Sequence, residues 1–182
     1  MRGAGGLLLL GAVALGVCGG ASAVAGAQTP EPATDVCRLL TVSEVEKALG
    51  QPVGEGAPST RQLPGSGGTE DQCTWETQAP NTGILSDTRL SFLASVQSNC
   101  AQPDPKGCFE SDKQAAESKH EEKNLKKIGG NEAFYEFTGE VEVLVGPRIL
   151  NVHFNYFDTN MFSRKSFERR TVAAAKLAVK RL

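Results

Sequence analysis

Four cysteines, Cys37, Cys73, Cys100 and Cys108, lie downstream of an apolar, glycine-rich leader, and that order constrains folding more than any other feature. Met1-Arg2 opens the chain, residues 3–27 carry no charge, and Ala25-Gly26-Ala27 stands directly before Gln28. This is the layout of a secretory signal peptide: a positive end, an apolar middle, and small residues at the −3 and −1 positions. Residues 1–27 are expected to be removed by cleavage between Ala27 and Gln28. The thiols that remain then mature where they can oxidise, and an even number of them reads as two disulfides. Cys100 and Cys108 flank the turn-rich Ala-Gln-Pro-Asp-Pro-Lys-Gly, which pairs them locally and leaves Cys37 for Cys73. In the chain-entropy account the wider loop contributes about 4 kcal/mol and the short one about 2.5 kcal/mol. A metal site would need Cys-x-x-Cys or histidines at ligand spacing, and neither occurs.

Two other readings of the leader end in export as well. Leu15-Gly16-Val17-Cys18 has the outline of a lipid-attachment site, with Val17 where a smaller residue is the rule, so Cys18 is the alternative lipidated amino terminus. An uncleaved anchor is the third, although the many glycines make the segment weakly hydrophobic. Each places the protein outside the cell or on the outer face of the membrane. The span after Ala27 is of single-domain size and able to bury a core of its own. The 19 basic and 21 acidic residues become 18 and 21 once Arg2 is lost, a balance of −3 that argues against a nucleic-acid partner.

Residues 28–36, polar and proline-bearing, read as a flexible leader, and residues 37–182 as a single α+β domain. Thr41 and Glu44 form a capping box, Leu40 and Val45 staple the chain entry, and Val42, Val45, Ala48 and Leu49 share a helical face that Gly50 ends. Gly54–Glu70 reads as a long surface loop. Strands are expected at 73–77, at 88–97 with Phe92, Ala94 and Val96 inward, at Ala133–Phe137, at 141–145 and at 150–156. Ser111–Lys127 reads as a charged, exposed helix, and Ser163–Leu182 as a closing helix with Phe167, Val172, Ala174, Ala175, Ala178, Val179 and Leu182 in one stripe. The pattern predicts a twisted antiparallel sheet with helices packed on one face, stapled by disulfides.

The block Cys37-Arg-Leu-Leu-Thr41, followed by Glu44-Val45, Leu49-Gly50, Cys73-x-Trp75 and Gly129-Gly130-x-x-Ala133, resembles a family of actinobacterial secreted proteins and lipoproteins known as domain of unknown function thirty-five fifty-eight. The likeness spans about Cys37 to Leu182. It implies an envelope-located α+β binding domain and carries over no catalytic residues. The Leu-Gly-Val-Cys18 segment departs from the lipid-anchored members.

Chemistry-bearing constellations are scarce. His120 sits among Lys119, Glu121 and Glu122, and His153 lies on the polar face of a strand with Asn151 and Asn155. Neither has the neighbours of a hydrolytic triad, and no phosphate-binding or dinucleotide fingerprint appears, so no cofactor is implied. Trp75 and Phe92 read as core. On the last helix Lys165, Arg169, Lys176 and Lys180 share a face able to meet anionic lipid heads or acidic polymers. The expected function is non-catalytic binding of an envelope component or a protein, with peripheral membrane contact. The alternatives are a small secreted enzyme built from dispersed acids and His153, and a secreted inhibitor using the 54–70 or 100–108 loop.

Overall fold

In the computed structural model the first helix begins where its capping residues dictate. The Thr41 hydroxyl accepts from the Glu44 N–H, the Glu44 carboxylate accepts from the Thr41 N–H, and α1 (Val42–Leu49) ends at Gly50 with φ 75°. Residues 34–63, 68–78, 91–98, 104–119, 122–125, 127–155 and 163–182 are described. They comprise a short 3-10 turn (Val36–Arg38), α1, β1 (Ala57–Gln62), β2 (Thr69–Glu76), β3 (Ser91–Ser98), α2 (Pro105–Ser118), β4 (Glu122–Asn124), β5 (Ala133–Glu136), β6 (Glu140–Val145), β7 (Arg148–Asn155) and α3 (Arg164–Val179). The seven strands form one antiparallel sheet in the order β1-β2-β3-β7-β6-β5-β4, and the expected α+β class holds. No helix among the described residues is long and apolar enough to cross a membrane.

Alternation along the central strands divides the sheet into two faces. On the first, Trp75, Phe92 and Phe154 stand opposite one another on β2, β3 and β7, with ring centroids 5.9 and 4.8 Å apart, and Phe167 of α3 closes on Phe154 at 5.6 Å. Trp75 and Phe92 are core, as expected. Ala174, Ala175 and Ala178 press α3 onto this face, and Val45 and Leu49 bring α1 into the same core. Thr171, fully buried among them, escapes a reading based on apolar period because its hydroxyl donates back to the Phe167 carbonyl within the helix. Cys37 and Cys73 are joined, with Cα atoms 5.1 Å apart, as the pairing by exclusion predicted. Cys108 is also disulfide-bonded; Cys100 lies outside the described residues.

Several expectations are corrected. The single helical face holds for α1 and α3, but α2 covers the other face, where Cys108, Phe109 and Ala116 pack on Phe134, Ile149 and Leu144. The helix expected over 111–127 starts six residues earlier, because Asp104 caps it by accepting from the Gly107 N–H at 2.6 Å and Pro105 occupies its first turn. It stops at Ser118, and residues 122–124 form edge strand β4 instead. The surface loop over 54–70 contains β1 and the start of β2. All six β1 side chains are exposed, so no alternation betrayed the strand, which is held by its ladder to β2 and by Thr60 donating to Asp71 at 2.8 Å. The leader is anchored at its end: Val36 is buried, and the Thr34 N–H donates to Asp71 at 2.9 Å.

Candidate functional site

Two regions carry unusual chemistry. The first is a groove of about 870 Å³ where α3 passes beside β4 and the segment after it. Lys165, Arg169 and Lys176 line it from α3, and Lys123 and Lys127 line it from the opposite wall. All five are exposed, and Leu125, Val172 and Ala173 give the groove an apolar lining. Its one carboxylate, Glu168, binds the Lys123 ammonium at 2.5 Å. Five cations against one anion leave a net +4 along the groove. The face expected on α3 is therefore one wall of a two-sided basic groove. Lys180 does not line it: it is the exposed residue that caps the C-terminus of α3. Lys123 and Lys127 were missed because a helix through residue 127 put them on the wrong element. The strand pairing Lys123↔Tyr135 fixes β4 on the sheet, from which Lys123 reaches Glu168 of α3.

The second region is the sheet face under α2. Register places Gln72, Ser95, Asn151, Glu142 and Phe134 side by side across five strands, and Thr74, Leu93, His153, Glu140 and Glu136 in the next row. The first row is buried at its centre: Ser95 is 0%, Glu142 8% and Asn151 9% exposed. Among the described residues, Ser95 Oγ, Asn151 Oδ1 and Glu142 Oε2 have no hydrogen-bond partner. The Asn151 amide donates to Glu140.

Carboxyls dominate the surroundings. Glu142 is pushed up to about 9, first by burial and then by the charges of Asp112, Glu140, Glu136 and Glu70. Glu140 is also raised by burial, an effect opposed by its hydrogen bond from Asn151 and by nearby His153. Glu70 is buried and paired with Arg61. Among the described residues no three His, Cys, Asp or Glu side chains are placed to hold a metal ion. Glu142 therefore stands at neutral pH as a buried carboxylic acid, able to donate as well as accept.

His153 is half-buried in the row beside this cluster, paired in register with Glu140. Sequence reading found His153 and Asn151 but took their face as solvated, because the loop expected between Cys100 and Cys108 hid the start of α2, which packs on that face of the sheet. Cys18, Ala27, Gln28 and His120 lie outside the described residues. Comparison with known protein families, curated proteins and solved structures finds no match to the chain.

Proposed function

We propose that this protein is an exported, non-catalytic binding domain of the cell envelope that holds a strand of anionic polymer in the groove between α3 and β4. The carrying observation is the groove itself, with five exposed cations around one neutralised carboxylate. A concave basic channel concentrates phosphate or carboxylate groups by its summed field, and the long lysine stems leave the charges free to follow a repeating polymer. Lipid insertion is the weaker use of the same charges. The alanine stripe of α3 is already buried against the sheet, so that face is not free to enter a bilayer. The signal-like leader, the Cys37–Cys73 disulfide and the resemblance to actinobacterial envelope proteins support the location.

Polyphosphate serves as the test polymer, with vesicles containing phosphatidylglycerol as the competing surface. Substituting Lys165, Arg169 and Lys176 together by Glu turns the groove from +4 to −2. At about 1 kcal/mol per cation, polyphosphate binding should weaken by at least about a hundredfold, and wild-type affinity should fall as salt is raised. Unchanged binding by the variant would refute the groove, and binding only to vesicles would refute the polymer.

A further inference from the structure

The row under α2 holds a second site, independent of the groove. Ser95, Asn151 and Glu142 occupy one face of three neighbouring strands, each at least nine-tenths buried, each with a polar atom that has no partner among the described residues. Leaving such atoms unpaired is costly, so a group from outside the chain that hydrogen-bonds to them gains free energy. The row adjoins a half-buried one, Thr74, Leu93, His153, Glu140 and Glu136. We propose that the Ser95–Asn151–Glu142 row receives the protonated primary amine of a small molecule.

Geometry and charge select that class. Asn151 Oδ1 can only accept, and Ser95 Oγ and Glu142 Oε2 can accept as well, so the three match the three N–H donors of an ammonium. Charged and titratable groups facing Glu142 are Glu140 from its own strand, Glu136 from β5, Glu70 from β2 with Arg61 of β1 upon it, Asp112 from α2, and His153 beside Glu140 on β7. Carboxyls outnumber cations there, so an incoming positive charge relieves their repulsion, whereas an anion would add to it. A metal ion is the poorer fit, because among the described residues no three His, Cys, Asp or Glu side chains converge. Because burial and those neighbours keep a proton on Glu142, the arriving ammonium displaces it, and binding releases a proton to solvent.

The experiment titrates the disulfide-intact protein with methylammonium, and separately with tetramethylammonium, which has the same charge and no N–H. Side-chain amide resonances of Asn151 report occupancy, and calorimetry in two buffers of different ionisation heat counts released protons. The expected result is saturable binding of methylammonium at least tenfold tighter than tetramethylammonium, with a proton released at pH 7. Ser95→Ala should weaken it severalfold. Glu142→Gln, a neutral stand-in for the protonated acid that preserves the fold, should abolish the proton release. No saturation, equal response to both cations, or methylammonium binding unchanged in both variants would each overturn the proposal and leave the row holding ordered water only.

Discussion

Replacing Glu142 by Gln should stabilise this protein, and by an amount that depends on pH in a defined way. The carboxyl has an ordinary value of 4.5 and is pushed up to about 9 in the fold, chiefly by burial. Between those values the unfolded chain ionises Glu142 while the folded chain keeps its proton. Each pH unit in that window therefore weakens the fold by about 1.4 kcal/mol. From 4.5 to pH 7 the loss comes to about 3 kcal/mol, an upper value because local opening and water entry relieve part of it. Glutamine has no proton to lose. Its amide has nearly the shape of the protonated carboxyl it replaces, whose Oε2 has no partner among the described residues. Urea melts of wild type and Glu142→Gln at pH 4, 5.5, 7 and 8.5 should coincide at pH 4 and then diverge. The variant should be about 3 kcal/mol more stable at pH 7, and its stability should depend less on pH by about one proton. Parallel curves, or a variant weaker throughout, would show that Glu142 is ionised in the folded state and that the reasoning about the row is wrong.

Removing the Cys37–Cys73 bridge as the double Ser variant opens a loop with a sequence separation of 36 and should cost about 4 kcal/mol in chemical denaturation. At Gly56 an added Cβ would stand 2.8 Å from the Trp75 ring and closer still to the Cys73 sulfur, so Gly56→Ala should cost about 1–3 kcal/mol and perturb Trp75 fluorescence. Phe109→Ala should cost about 3–4 kcal/mol, because Phe109 anchors α2 on Phe134 with ring centroids 5.3 Å apart; hydrogen exchange should then rise in α2 before it rises in α3. Arg181 grips the Glu44 carboxylate with both terminal nitrogens, at 2.6 and 2.7 Å, and holds it down at about 2. A depressed carboxyl adds stability above its ordinary value of 4.5 that is lost as pH falls through about 2, so Arg181→Gln should melt earlier than wild type at pH 7, with the gap narrowing below pH 2 to what the Arg181 hydrogen bond to the Leu39 carbonyl contributes.

Much of the architecture was legible wherever a side-chain signal coincided with burial. Thr41, Glu44 and Gly50 announced both ends of α1, and the alternation of Phe92, Ala94 and Val96 announced β3. Elements without such a signal were lost. β1 buries none of its side chains, and β4 is a three-residue charged edge, so backbone pairing alone makes them strands. Asp104-Pro105 was a helix start inside what composition marked as a turn, and the error had a consequence at the candidate sites. With α2 misplaced, Glu140, Glu142, Asn151 and Ser95 looked like an ordinary wet face.

The chain's own order of residues determined its cysteine pairing of Cys37 with Cys73, its α+β class and the basic stripe Lys165, Arg169 and Lys176, because these rest on local composition, period and count. Tertiary structure alone decided that Lys123 and Lys127 face that stripe, and that polar side chains from β3, β6 and β7 share one buried row. Those relations depend on strand register and on which face a helix covers. Both are set by contacts between residues far apart in the chain, which no local pattern encodes.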